Sequence, residues 1–398
     1  MTTKPISLPA QDAPAADEFQ TDLTLTIAGG HFFHDIYTAF LAPLLPVLTE
    51  KLALSLTLAG SLNAVMQVPG LLNPLIGYMA DRTNMRYFVI LAPAITATLM
   101  SSLGFADSYF TLAALLFVTG ISVAVFHSPA PAIIAHVSGR RVGLGMSLFM
   151  AAGEMARTIG PLIAVWAFGL WGLEGMYRVA VLGWGVTLVL FWKLRNLQAR
   201  SGRRGSIRAA FPLLKSFFGP LAVITLFQSF MLVCLTLYLP TFMTQQGATL
   251  WIGGLTLSVL ELAGVGGALA SGTLSDRFGR KPVLMAASLS STVLMLLFLA
   301  ARGWLLIPIL LGLGFSSLST TPVILAMVQD RLPNNRAAGN GLYMALNFVL
   351  KTAAMLLVGL VGDNFGLTTA FFGSALLTLA VIPGILALPG EEKSALAE

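Results

Sequence analysis

Five ionisable side chains interrupt segments of the sequence that are otherwise apolar. The acids are Asp35, Glu154 and Glu261, and the bases are Arg157 and Lys351. A charge at membrane depth is costly, so such residues usually face a water-filled cavity and serve a function. The sequence therefore predicts a site in the membrane interior that binds or transfers charged species.

Histidines accompany the first of these acids. His31 and His34 precede Asp35 at spacings that place all three on one helical face. A carboxylate can orient a histidine and stabilise its charged form, which is what a proton carrier needs. The alternative, that a histidine only bonds a backbone carbonyl between helices, stays open, above all for His31. The candidate proton-coupling residues are Asp35, His31, His34, His127, Glu154 and Glu261. We interpret His136, near a predicted span end, as structural.

The two buried cations suggest a binding site for an acidic group. Arg157 and Lys351 could hold an anionic or phosphonate-bearing substrate between them. The alternative is that each cation is neutralised by a nearby acid, since Glu154 lies three residues before Arg157. The candidate substrate-binding residues are Arg157, Lys351, Gln67, Asn63, Gln228, Tyr343 and Asn347. The polar residues among them could instead hydrogen-bond between helices.

No recognised metal-ligand spacing such as H-E-x-x-H occurs, and we expect neither a metal nor another cofactor. An enzyme would also need a nucleophile or metal constellation, which the sequence does not suggest. A single cysteine, Cys234, excludes an internal disulfide.

The elements that position these residues are membrane-spanning helices. The chain has 398 residues, of which 56% are hydrophobic and only 10% charged, and its mean hydropathy is +0.84. A soluble domain carries about 25% charged residues, so lipid must be the solvent for most of this chain. Twelve apolar segments are long enough to span: 24–48, 57–80, 86–106, 110–136, 142–166, 174–193, 217–244, 250–274, 282–300, 303–329, 338–362 and 367–388.

Basic residues orient these spans. Most of the 23 lysines and arginines fall in the tails, in alternate loops and in the central segment between the sixth and seventh spans. The opposite loops hold only Lys51, Arg178 and Arg302. By the positive-inside rule, both termini and the central segment are cytoplasmic. The net charge of +6 is then a topology signal, and we expect no nucleic-acid partner.

The sequence contains an internal repeat. The pattern G-x-x-x-D-R-x-G-R-K ends the predicted eighth span, at Gly272, Asp276, Arg277, Gly279 and Arg280. A degraded copy ends the second span, about half the chain earlier, at Gly77, Asp81 and Arg82. Two six-span halves related in this way are typical of major facilitators, and the motif is their cytoplasmic loop signature. We interpret both copies as conformational-switch elements; a plain charged loop is the alternative.

The repeat also divides the chain. We predict a disordered cytoplasmic tail at 1–22, a six-helix bundle at 23–193, a basic linker at 194–216, a second bundle at 217–389 and a tail at 390–398. In the fifth span, Gly153, Gly160 and Pro161 resemble the glycine-proline element of facilitator antiporters. They predict a bendable, closely packed helix at the interface of the halves, and favour export.

Taken together, these motifs resemble the fosmidomycin-resistance family of major facilitators. The resemblance rests on Gly30–Asp35, Val125–Pro129, Ser138–Phe149, Gly160-Pro161 and Gln329–Leu342. It implies a proton-coupled drug or metabolite exporter in which His31, Asp35 and His127 are functional. The family's His-Pro-Glu element reads His127-Ser128-Pro129 here, and the charges at Glu154, Arg157 and Lys351 are unexpected for it.

The sequence thus predicts an all-α membrane protein of the major facilitator fold, in a bacterial inner membrane. The expected function is proton-coupled antiport that exports a small anionic or zwitterionic compound by alternating access. Its partners would be the substrate, protons and the lipid bilayer, and we expect a monomer. A proton symporter or uniporter that imports an organic anion or metabolite is the alternative. A membrane-embedded enzyme or a non-transporting receptor fits the sequence less well.

Overall fold

A computed structural model of the chain describes residues 18–73, 76, 86–197, 215–331 and 336–388. The first copy of the loop motif, with Gly77, Asp81 and Arg82, lies outside these residues. So do most of the predicted tails and of the basic linker. The described residues form helices joined by short turns, without a strand, which confirms the all-α prediction.

Six helices form the first half of the molecule. They are α1 (Thr21–Thr38 and Leu41–Lys51), α2 (Leu56–Gln67, continued by a 3-10 turn at Val68–Leu72), α3 (Arg86–Ser101), α4 (Tyr109–His127 and Ala130–Val137), α5 (Val142–Gly175) and α6 (Ala180–Leu194).

Six more form the second half. They are α7 (Lys215–Val233, a π turn at Cys234–Tyr238, and Leu239–Gln245), α8 (Leu250–Phe278), α9 (Arg280–Ala300), α10 (Leu306–Leu318 and Thr320–Arg331), α11 (Arg336–Phe365) and α12 (Leu367–Thr378 and Val381–Ala387).

Within the described ranges, ten continuous helical runs are long and apolar enough to span a membrane. One run, Val142–Leu194, holds both α5 and α6, and the described part of α2 forms a shorter apolar helix, Leu56–Leu72. The ten runs and α2 therefore account for all twelve predicted spans.

One local expectation needs correction. The first helix begins at Thr21, inside the predicted tail 1–22, and Asp22 in its first turn pairs with Lys193 Nζ at 2.9 Å. An acid is favourable at a helix N-terminus, which explains the earlier start. In α5 the backbone stays helical through Gly153, Gly160 and Pro161, and the break comes at Gly172, with φ 66° and ψ 177°.

Side-chain caps and glycines fix where the helices end. Ser55, Ser108 and Thr249 each accept a hydrogen bond from the backbone N–H three residues on, which caps α2, α4 and α8. Gly279 joins α8 to α9 with φ 92°, a conformation that other residues rarely adopt. This conformation explains the glycine at that position of the loop motif.

The buried core distinguishes the two ends of the bundle. We call the end where α1 begins and α12 ends the terminal end, and the end where α1 meets α2 the distal end. At the distal end one apolar cluster includes both halves, for example Leu48 and Leu62 with Tyr238 and Phe242. At the terminal end each half has its own cluster, around Ile133 in the first and Val328 in the second. The bundle is therefore packed shut at the distal end.

Tyr37 joins α1 to the start of α6 inside the first half. Its hydroxyl donates to the carbonyl of Val179 at 2.8 Å and accepts from the N–H of Gly183 at 3.1 Å, and the side chain is buried.

We expect Tyr37→Phe to lower the stability by about 1–3 kcal/mol, because it leaves buried backbone groups without a partner. The measurement is the thermal unfolding midpoint in detergent. Tyr177→Phe is the control, since Tyr177 is exposed; equal effects of both substitutions would contradict this account.

Candidate functional site

Three titratable side chains meet at one buried point in the first half. His31 and Asp35 lie one turn apart on α1, and His127 reaches them from the centre of α4. His31 Nε2 lies 3.1 Å from Asp35 Oδ2 and 3.1 Å from His127 Nε2. His127 Nε2 lies 3.4 Å from Asp35 Oδ1. We call these three residues the histidine–aspartate cluster.

Backbone carbonyls fix which nitrogen of each ring carries hydrogen. His31 Nδ1 lies 2.8 Å from the carbonyl oxygen of Phe149, and His127 Nδ1 lies 3.0 Å from that of Val123. A carbonyl oxygen only accepts, so each Nδ1 must be the donor. In the neutral rings both Nε2 atoms then present lone pairs to each other and to the carboxylate. The contacts between these acceptors become attractive when the cluster holds one additional proton.

Aromatic rings enclose the cluster. The His31 ring stacks on Phe149 with centroids 3.9 Å apart, and the His34 ring stacks on Phe126 at 4.4 Å. His34 is fully buried, and within the described ranges neither of its ring nitrogens has a hydrogen-bond partner. It therefore packs as a flat ring beside the cluster, and its predicted part in proton coupling remains a prediction.

The other predicted charges form a second group, which bridges the two halves. Arg157 on α5 bonds Glu154 of the same helix, which agrees with the alternative that a nearby acid neutralises this cation. The Nε of Arg157 also lies 3.7 Å from Glu261 Oε2 on α8. Lys351 on α11 interacts electrostatically with Glu261 and Arg157. It has no salt bridge within 4.0 Å among the described residues. We call these four residues the central charge group.

Arg157 also connects the two groups. It interacts electrostatically with Asp35 and His127, besides its contacts with both glutamates. Although acids of both halves surround it, its side chain is 47% exposed. Arg157 therefore lines open space between the halves, next to the histidine–aspartate cluster.

The predicted polar residues lie in different surroundings. Gln67 Nε2 donates to Asn63 Oδ1 at 2.8 Å on α2, and both are half-buried. Gln228 and Tyr343 are buried among helices of the second half, Tyr343 within its terminal-end core. Asn347 is half-buried on α11. Their role in substrate binding remains a prediction.

The second loop motif holds the terminal end of the second half together. Arg280 pairs with Asp276 at 2.7 Å and with Asp330 of α10 at 3.2 Å, and the guanidinium of Arg277 lies over the Phe278 ring. A Cβ at Gly272 would meet nothing within 4 Å. No neighbouring helix therefore packs closely against this glycine among the described residues.

The predicted hinge glycines of α5 serve close packing. A Cβ at Gly153 would lie 2.5 Å from Cε1 of His31, and one at Gly160 would lie 2.7 Å from the carbonyl oxygen of Ile36. A Cβ added at Gly254 of α8 would lie 3.3 Å from the carbonyl oxygen of Pro161. These residues let α5 lie against α1 on one side and the second half on the other.

The histidine–aspartate cluster could also hold a metal ion. His31, Asp35 and His127 each offer a ligand atom, and these atoms all lie within 4.8 Å of one another. Two imidazoles and a carboxylate are ligands that divalent transition metals accept. Sequence spacing did not indicate this possibility, because His127 lies on a different helix.

Comparison with known proteins identifies the family. The model of the Major Facilitator Superfamily matches residues 27–350 and, in a second match, 265–397. The chain belongs to the Major Facilitator Superfamily. This membership confirms the predicted superfamily and the expectation of a transporter rather than an enzyme.

Several relatives and structures are similar over nearly the whole chain. The uncharacterized MFS-type transporter YfnC of Bacillus subtilis is 24% identical, covering 91% of each chain. The fosmidomycin resistance protein of Escherichia coli is 24% identical, covering 89% of each. The multidrug resistance protein MdtG of Proteus mirabilis is 24% identical, covering 85% of this chain and 88% of its own.

Solved facilitator structures share the fold. A D-xylose-proton symporter superposes with a TM-score of 0.74 at 16% identity, covering 94% of this chain and 98% of its own. A bacterial homologue of the lysosomal transporter Spinster, inward-facing and occupied, gives 0.75 at 14% identity, covering 93% and 94%. The chain is thus a multi-pass membrane protein with the major facilitator fold in two six-helix halves.

The close packing of Gly153 against His31 can be tested by adding one methyl group at Gly153. We expect Gly153→Ala to lower the stability by about 1–3 kcal/mol, because the new Cβ overlaps the His31 ring, which also stacks on Phe149. Thermal unfolding in detergent measures the change. Gly169→Ala on the same helix is the matched control, since a Cβ there meets nothing within 4 Å. Equal midpoints for the two variants would show that Gly153 does not position His31.

Proposed function

We propose that this facilitator is a proton-coupled antiporter that exports a small organic compound by alternating access. The histidine–aspartate cluster would carry the proton, and the central charge group would bind the substrate. The observation that carries the proposal is the meeting of His31, Asp35 and His127 within 3.1–3.4 Å of one another. The fosmidomycin resistance protein and MdtG among the relatives are consistent with export.

Charge balance favours a zwitterionic substrate over a simple anion. The two groups together hold the acids Asp35, Glu154 and Glu261 against the bases Arg157 and Lys351. One proton on the cluster balances this set, and its departure leaves one negative charge. Arg157 is already paired with two glutamates, so an anion would have to displace one of them. A zwitterion supplies its own cation, while Lys351 remains to bind its acidic group.

The proton and the substrate would compete for the carrier, and the transport cycle follows from this competition. Substrate binding from the cytoplasm would require the deprotonated cluster, and the empty carrier would return only after taking up a proton on the other side. The predominance of basic residues in the predicted cytoplasmic loops supports a bacterial inner-membrane location with both termini in the cytoplasm. The terminal end is then cytoplasmic.

Proton coupling can be tested in proteoliposomes with an imposed pH gradient. The probes are fosmidomycin first, then a panel of aminophosphonates and amino acids. We expect the gradient to drive movement of at least one probe, and Asp35→Asn to reduce that movement about tenfold or more, because the cluster loses its negative charge. His136→Gln, at the terminal end of α4, is the control and should behave like the wild type.

The outcomes separate the parts of the proposal. A wild-type protein that exchanges a probe without responding to the gradient would refute proton coupling. Full gradient-driven activity in Asp35→Asn would refute the assignment of the proton to this cluster. Activity that disappears on treatment with a chelator and returns with zinc would show that a metal ion occupies the cluster. Gradient-driven uptake together with protons, rather than against them, would establish a symporter.

The charge of the substrate can be tested with a matched pair of ligands. We expect 3-aminopropylphosphonate to raise the thermal unfolding midpoint at concentrations where propylphosphonate does not, since binding stabilises the native state. Lys351→Gln should weaken this binding about tenfold to a hundredfold, the effect of losing a charge-assisted hydrogen bond. Lys193→Gln, which removes a surface lysine, is the control. A stronger response to propylphosphonate would favour an anionic substrate, and an unchanged response in Lys351→Gln would remove Lys351 from the site.

A further inference from the structure

A carboxylate of the second half completes the first turn of a helix in the first half. Asp363, near the end of α11, accepts from the backbone N–H groups of Leu56 and Thr57 at 2.6 and 2.9 Å. It also accepts from the hydroxyl of Thr57 at 2.6 Å. These contacts lie at the distal end, where α2 begins.

The start of α2 depends on these contacts. The first N–H groups of a helix have no partner within the helix, and they attract negative charge. Ser55 Oγ accepts from Leu58 at 3.2 Å, and the Ser55 carbonyl accepts from Ala59 at 2.9 Å. The N–H groups of Leu56 and Thr57 have no partner within the described part of the first half, and Asp363 accepts a hydrogen bond from each of them. These two N–H groups therefore have their partner only when the two halves touch at the distal end.

Two further contacts bring the same backbone segments together. The hydroxyl of Tyr238, which ends the π turn of α7, lies 2.8 Å from the carbonyl oxygen of Leu56 and donates to it. A Cβ at Gly359 would lie 2.7 Å from that same oxygen. Helices of the second half thus reach the backbone of α2 directly, and any separation of the halves at the distal end must break these bonds.

We propose that Asp363 is a releasable latch that holds the distal end of the transporter shut. It is independent of the histidine–aspartate cluster and of the central charge group. Asp363 is solvent-exposed, so water can replace its three hydrogen bonds when the halves part. The latch therefore favours the distally closed conformation without locking it. Because the acceptor is charged and all three donors belong to the other half, its loss shifts the conformational equilibrium towards the distally open form.

The test is a distance measurement by electron paramagnetic resonance between spin labels on the two halves. Glu50→Cys and Gln246→Cys place labels on exposed distal-end positions, while the native Cys234 is buried. The protein is studied in lipid nanodiscs without substrate. Asp363→Ala should increase the distally open population about tenfold, and Thr57→Val, which removes only the hydroxyl donor, should increase it severalfold.

Asn364→Ala is the matched control, because Asn364 is the adjacent exposed residue and, among the described residues, its side chain bonds only within its own helix, to Leu360. Distance distributions of Asp363→Ala and Thr57→Val that coincide with that of Asn364→Ala would overturn the latch. If Asp363→Ala does not fold, Thr57→Val alone decides. The readout needs neither a substrate nor a pH gradient, so its failure is distinguishable from failure of the proposed proton coupling.

Discussion

Two imidazole rings and a carboxylate directed at one buried point impose the main constraint on this structure. The carbonyls of Phe149 and Val123 commit both Nδ1 hydrogens, so the Nε2 lone pairs of His31 and His127 must face Asp35 and each other. Acceptors brought together in a medium of low polarity repel unless a cation lies between them. We therefore propose that the cluster holds a proton, and the surrounding helices keep it compact.

The packing of α5 connects this cluster to the rest of the molecule. Gly153 allows the His31 ring to pack closely against α5, and Arg157, one turn further along the same helix, extends into the space between the halves. There Arg157 interacts with Asp35 on one side and with Glu261 of the second half on the other. In the proposed mechanism, a change of charge at the cluster would act on an ion pair that joins the halves.

Much of the fold and part of the site could be predicted from sequence. Apolar segment length and the repeated loop motif indicated the spans, and the isolated charges at Asp35, Glu154, Arg157, Glu261 and Lys351 indicated the interior residues. Spacing within one helix also grouped His31 with Asp35. It could not show that His34 stacks on Phe126 while His31 contacts Asp35, because a helical face is broad. Contacts through the backbone were not predictable either: the Phe149 carbonyl and the bonds of Asp363 to α2 depend on how helices dock, which side-chain patterns do not encode.

The central claim, that the cluster holds an exchangeable proton, is most directly tested by nitrogen NMR of the protein labelled with ¹⁵N-histidine in lipid nanodiscs. His34→Phe and His136→Gln variants assign the rings. The account predicts that both Nδ1 atoms of His31 and His127 are protonated and that they share one further proton on Nε2, which is lost in Asp35→Asn. A single protonated nitrogen on each ring, unchanged by Asp35→Asn, would contradict it.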